Sequence, residues 1–188
     1  TSDTKAGTKI YAPSGAPVWT SPTIDVERNL LIFGTGENYS SPADENSDAI
    51  IAVRLDTGER LWSRQTFPDD AWNVACMMVD NPNCPEEDGP DYDQASSPLL
   101  VDTGDGTTMV VAGQKDGRVF ALDWETGQNK LWEVKLGRGS IQGGVHFGMA
   151  AGGTTVYVPI NDMNDTRNGE WLDPETARPG VSLSLIHI

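Results

Sequence analysis

The segment AVRLDTGERLW at Ala52–Trp62 returns about 70 residues later as ALDWETGQNKLW at Ala121–Trp132. Each copy runs Ala, four residues, Thr-Gly, a short polar stretch and Leu-Trp. That is the pattern of a strand, a tight turn and a second strand with a large aromatic at a fixed place. A further repeat precedes each copy: Ser21-Pro22-Thr23-Ile24-Asp25 ahead of LLIFGTG, and Ser97-Pro98-Leu99-Leu100-Val101-Asp102 ahead of MVVAGQKDG. The period is longer than most solenoid units and fits a four-stranded propeller blade that carries an insertion. Two whole blades are expected, with Trp62 and Trp132 at the repeated position where one blade docks on the next.

Composition supports an all-β chain. Charged residues make up 22% and hydrophobic ones 37%, and 20 glycines and 12 prolines give a turn-rich profile unlike that of a helical protein. No run approaches the roughly 18 apolar residues of a membrane span, and no signal peptide opens this segment. The net charge of −15 argues against nucleic acid or anionic lipid as partners, because an acidic surface repels phosphate. The same acidity serves solubility, and clustered carboxylates hold divalent cations.

Strands are expected at 18–24, 29–35, 49–55 and 60–66, with a hairpin turn at Asp56-Thr57-Gly58. Residues 67–95 are too long and polar for an ordinary connection and read as a functional insertion. The second blade takes strands at 97–102, 108–113, 117–123 and 130–136, turning at Gly104-Asp105-Gly106, Asp116-Gly117 and Thr126-Gly127. A third opens with 145–151 and 154–160 and then frays. Some two and a half blades do not close a ring, so residues 1–181 are read as a fragment of one propeller domain. Residues 182–188, SLSLIHI, abandon the acidic, Gly-rich character upstream and read as a non-native C-terminal extension, the alternative being a short apolar strand.

Cys76 and Cys84, with His146 and His187 the only histidines, are too few for a zinc site. Their spacing within a Pro- and Asn-rich insertion reads as a disulfide clipping a short loop, worth about 2–3 kcal/mol on chain-entropy grounds. Two reduced, buried cysteines are the alternative. A disulfide implies an oxidising compartment, in a bacterium the periplasm. No GxGxxG before a helix, GxSxG or HExxH occurs, which removes nicotinamide, serine-hydrolase and zinc-protease readings.

The stretches GAPVWTSPTID, LLIFGTGENYSSP, SDAIIAVRLDTGERLWSRQ, DDAWN and AGQKDGRVFALDWETG, in that order, resemble the middle blades of the quinoprotein alcohol dehydrogenases. These are eight-bladed propellers that bind pyrroloquinoline quinone (PQQ). NCPE and GGVHFGMA are similar to the polyvinyl-alcohol dehydrogenase branch, and the likeness covers roughly residues 13–162.

The resemblance implies roles. Trp19 takes the place of the indole under the flat PQQ ring, where a planar electron-poor tricycle stacks on an aromatic face. GTGEN sits where a carboxamide ligates Ca²⁺, but Glu37 stands directly after Gly-Thr-Gly and Asn38 one later. Either can supply an oxygen to a hard cation, and strand alternation aims only one of them inward. DDAWN falls where a Trp-Asp pair supplies the general base. The matching residue is Asn73, which cannot take the proton, so Asp70 or another carboxylate would serve. Lys115 matches the cation that meets the quinone oxygens, and His146 is a weaker contact at the channel.

The expected parent is therefore a periplasmic enzyme that oxidises a secondary alcohol, polymeric ones included, by hydride transfer to Ca²⁺-bound PQQ, with the isolated fragment inactive. An electron acceptor such as a cytochrome c would follow, and any haem c would lie outside this segment, which has no C-x-x-C-H. The rival reading is a non-catalytic propeller scaffold for protein contacts. Convergence or scatter of Trp19, Asn38 and Lys115 separates the two.

Overall fold

The computed structural model describes residues 2–3, 7–162 and 180–187. The short strands β1 (Ser2–Asp3) and β2 (Lys9–Ile10) pair with each other. β3 (Ser14–Gly15) pairs with β6 (Asn38–Ser40). Between and beyond these run β4 (Thr23–Asp25), β5 (Leu30–Gly34), β7 (Ala49–Arg54) and β8 (Arg60–Gln65), which form one antiparallel sheet in the order β4-β5-β7-β8. A second sheet follows in the same order, from β9 (Leu99–Asp102), β10 (Thr108–Gly113), β11 (Arg118–Asp123) and β12 (Lys130–Lys135). The third holds β13 (Ala150–Gly152), β14 (Thr155–Asp162) and β15 (Gly180–His187). The sole helical segment among the described residues is a 3₁₀ turn at Val74–Met77, and no helix there is long and apolar enough to cross a membrane.

The fold is thus all-β, a partial propeller that is not closed. β5, β7 and β8 lie within a residue of their expected ends, as do β10, β11 and β12, and the expected turn glycines have positive φ at Gly58, Gly104, Gly106, Gly117 and Gly127. Three expected strands are shorter in the structure, the segment 97–102 being strand only from Leu99. The segment 18–24 is strand only from Thr23, because Ala16 and Pro17 bond instead to Glu37 and Gly36 and Pro22 has no N–H to give a ladder. The segment 145–151 is strand only over Ala150–Gly152, because Val145 donates to Gln114 and Gly144 exchanges both backbone bonds with Asn161. The expected fraying at 163–179 lies outside the described residues.

Residues 182–187 of the expected extension fall within β15, which pairs along β14 from Thr155↔His187 to Asp162↔Gly180; position 188 lies outside the described residues. An open strand edge accepts an apolar alternating segment whatever its origin, so the pairing follows from the edge.

Period-2 alternation explains the layering. Val110 and Ala112 of β10, with Phe120 and Leu122 of β11, face the first sheet and pack with Leu30, Ile32, Ile50 and Trp62. The alternate residues Met109, Val111, Val119 and Ala121 face the third sheet and pack with Val145, Met149, Val156 and Val158. The middle sheet is therefore buried on both faces.

At one edge the first two sheets meet through a specific joint. Trp62, 6% exposed, lies against the turn of the next repeat and donates Nε1–H to the Trp124 carbonyl at 2.9 Å. Gly127 in that turn has φ +61°, and a Cβ there would sit 2.2 Å from the Trp62 ring. Gly127→Val is expected to lower stability by about 2–4 kcal/mol, combining overpacking with left-handed strain. The equivalent Gly58 has φ +74° and nothing near its Cβ position, so Gly58→Ala should lose only about 1 kcal/mol. Denaturant midpoints compare the two.

Candidate active site

An antiparallel meander turns at alternate ends. The connections leaving β5 and β10, and those joining β8 to β9 and β12 to β13, therefore open at one end of the sheets. The hairpins β4–β5, β7–β8, β9–β10 and β11–β12 turn at the other. Glu37 follows β5, Lys115 follows β10, Asp91 and Asp93 precede β9, His146 follows β12 and Trp19 precedes β4. Topology alone delivers all six to one end.

Asp93 is the hub of the cluster that results. Its Oδ1 accepts the Glu37 backbone N–H at 3.0 Å, and its Oδ2 accepts Trp19 Nε1–H at 3.1 Å and pairs with Lys115 Nζ at 2.6 Å. Gly36 allows this approach, since a Cβ there would lie 2.4 Å from Asp93 Oδ1. Lys115 Nζ also reaches Asp91 Oδ1 at 2.9 Å and stands 5.5 Å from the Trp19 ring centroid. His146 is tilted against Trp19 with 5.8 Å between ring centroids, and its buried Nδ1 has no hydrogen-bond partner.

Carboxylate oxygens of Glu37, Asp91 and Asp93 lie within 4.8 Å of one another, and all three residues are buried. Oxygens bound at about 2.4 Å on opposite sides of one hard cation are about 4.8 Å apart, so the three can share an ion. Of the described residues, Cys76, Cys84 and Asp88 also cluster, but the two sulfurs are bonded to each other and are not free to ligate.

Burial sets the protonation of this cluster. It pushes Glu37 up to about 10, aided by the bond to Asp93 and by the charges of Asp93 and Asp91. Burial and Asp93 raise Asp91 to about 7 against the pull of Lys115. For Lys115, burial works to lower the ammonium, but Asp93 and Asp91 outweigh it and the net shift is upward. Burial, then the Lys115 charge, lowers His146, favouring neutral imidazole.

The expected site residues separate into two groups. Trp19, Glu37, Lys115 and His146 converge. Asn38 does not: its Oδ1 accepts from Asp44 N at 2.7 Å and its Nδ2 donates to the Ser14 carbonyl at 3.3 Å. Asp70 and Asn73, expected near the proton transfer, serve the backbone. Asp70 is fully buried and accepts the N–H groups of Tyr92 at 2.8 Å and Asp91 at 3.3 Å. Asn73 caps the 3₁₀ turn through Ala75 N and donates to the carbonyls of Tyr39 and Asn83. Cys76 and Cys84 form the expected disulfide.

The sequence reading missed Asp91 and Asp93. The available signal was their spacing, two apart and just ahead of Ser97-Pro98, where the first repeat carries Trp19 ahead of Ser21-Pro22. Asp91 also borders a cavity of about 610 Å³ whose wall includes Trp72, Val74, Met77, His146 and Phe147.

Residues 1–138 match the PQQ family described as the glucose/ethanol/alcohol dehydrogenase β-propeller domain. The chain belongs to that family. It is 37% identical to a polyvinylalcohol dehydrogenase of Pseudomonas sp., over 88% of this chain and 26% of the relative. It is 36% identical to the polyvinylalcohol dehydrogenase of Sphingopyxis sp. (strain 113P3), over 85% of this chain and 25% of that one. The chain thus spans about a quarter of the length of the curated relatives it matches. The quinohemoprotein alcohol dehydrogenase of Comamonas testosteroni superposes with a TM-score of 0.60 at 20% identity, covering 80% of this chain and 26% of that one, which shows the shared fold.

In this member of the PQQ family, a further buried acid backs the cluster. Asp48 is fully buried beside Asp70, and burial followed by the charges of Asp70 and Asp93 holds it well above the usual carboxylate range. Raised carboxylates mean that the fold binds more protons than the unfolded chain from about pH 4 up to about 10, so stability without a cation should fall as pH rises through that window. Thermal unfolding from about pH 5 to about pH 9 should show the decline, and Glu37→Gln should flatten it. Asp70→Ala, which strands two backbone donors, should lower stability by about 2–4 kcal/mol in denaturant titration at neutral pH.

Proposed function

We propose that the intact protein is a quinoprotein alcohol dehydrogenase that uses PQQ and a hard cation such as Ca²⁺ to oxidise secondary alcohols carried on aliphatic chains, polymeric ones included. The observation that carries this reading is the convergence of one indole, one ammonium and three carboxylates at a single end of the sheets. Burying three carboxylates around one lysine costs stability, which favours a ligand site over a scaffold for protein contacts.

Glu37, Asp91 and Asp93 would hold the cation, with Asn38 left to its backbone partners. Trp19, 45% exposed and fixed through its Nε1 to Asp93, offers an indole face on which a flat ring can stack. When bound, the quinone supplies the two-electron acceptor, its carbonyl polarised by the ion. Asp91 belongs to both the carboxylate cluster and the cavity wall, which suits it to take the hydroxyl proton.

Val74, Met77 and Phe147 on the cavity wall are each more than half exposed and give an apolar surface for the carbon chain of a substrate. The names of the polyvinylalcohol dehydrogenase relatives support the same substrate class. The disulfide fits an oxidising compartment such as the bacterial periplasm, and electrons would leave to an acceptor such as a cytochrome c.

Dye-linked oxidation of secondary alcohols by the intact protein tests the reading. Turnover should require both PQQ and Ca²⁺, and a rate indifferent to either would refute it. Asp91→Asn should lower kcat by about 10²–10⁴ with the fold retained.

A further inference from the structure

We propose that Lys115 is the resident counter-ion of the carboxylate site: its ammonium bridges Asp91 and Asp93, and a bound metal ion displaces it toward the rim of the Trp19 ring. This rests on the reading of Glu37, Asp91 and Asp93 as a cation site.

Lys115 Nζ lies 2.9 Å from Asp91 Oδ1 and 2.6 Å from Asp93 Oδ2, so it occupies two of the three residues that would ligate the ion. An ammonium and a metal ion sharing those carboxylates in a buried site repel strongly, and the monovalent, flexibly tethered partner gives way. The chain provides a place for it to go. The Trp19 ring centroid is already 5.5 Å from Nζ, so a short swing of the lysine brings its ammonium to the rim of that platform, beside any ring stacked on it. Trp19 is 45% exposed, and beside it stands His146, whose Nδ1 has no hydrogen-bond partner. Asp93 need not move, because Trp19 Nε1 and the Glu37 amide hold it independently of the lysine.

The exchange orders assembly. While Lys115 bridges the aspartates it is unavailable to a ligand stacked on Trp19. Once a cation fills the carboxylates, the ammonium meets the carbonyl or carboxylate oxygens of such a ligand. Cation and quinone would then each tighten the binding of the other, by the same factor.

The test uses the intact, cofactor-free protein with Tb³⁺ as the probe ion. Tryptophan-sensitised emission reports binding, and a pulse of amine-acylating reagent read by mass spectrometry reports the exposure of Lys115. Acylation of Lys115 should rise severalfold when Tb³⁺ binds, and in Lys115→Met the Tb³⁺ Kd should fall by about 10- to 100-fold. Tb³⁺ binding that leaves Lys115 acylation unchanged or lowers it overturns the displacement while sparing the cation site. Absence of binding, or emission that survives Glu37→Gln, overturns both. The labelling experiment needs no variant to fold.

Discussion

A sheet with apolar residues on both faces exists in water only with a layer on each side, and β10 and β11 impose that condition on everything around them. Odd and even positions of the same two strands serve different neighbours, so neither adjacent sheet can shift without exposing part of the middle one. The candidate site inherits its rigidity from this arrangement. Glu37 comes from the first sheet, Asp91, Asp93 and Lys115 from the flanks of the second, and His146 from the approach to the third. Their distances hold only because the three layers are locked together.

Against that rigid frame, the site itself is electrostatically costly. Three carboxylates are buried with one ammonium, and Glu37 retains a proton to limit the charge. Asp48 and Asp70 add two further buried acids just behind it, and Asp70 holds the Asp91–Tyr92 backbone in place. Local stability is thus sacrificed where chemistry would be done, and the apolar layers compensate elsewhere.

Much of the fold was legible because its signals are local. Alternation in LLIFG and MVVAG, Thr-Gly turns and the repeated Leu-Trp each specify a strand, a bend or a joint from a few neighbouring residues. The site was legible only in part. Glu37 and Lys115 sit at the ends of obvious strands, whereas Asp91 and Asp93 lie in a Pro- and acid-rich stretch whose polarity suggests solvent. Alternation showed that one of Glu37 and Asn38 must point inward, but which one depends on the pairing of Asn38 with Asp70 and Trp72, a tertiary fact. Asp70 and Asn73 show a related limit: their side chains bond backbone groups, and carboxylates and amides beside tight turns do so as readily as they face a ligand.

The indole of Trp62 resting on the bare backbone of Gly127 acts as a spacer of fixed thickness. At this joint it sets the angular pitch between the first and second sheets, at the end remote from the carboxylates. Loop length at the end that carries the carboxylates is thereby released from any part in setting that pitch. A disulfide-clipped excursion such as residues 67–95 can lengthen, shorten or change its chemistry to suit a new substrate while the wheel keeps its gauge.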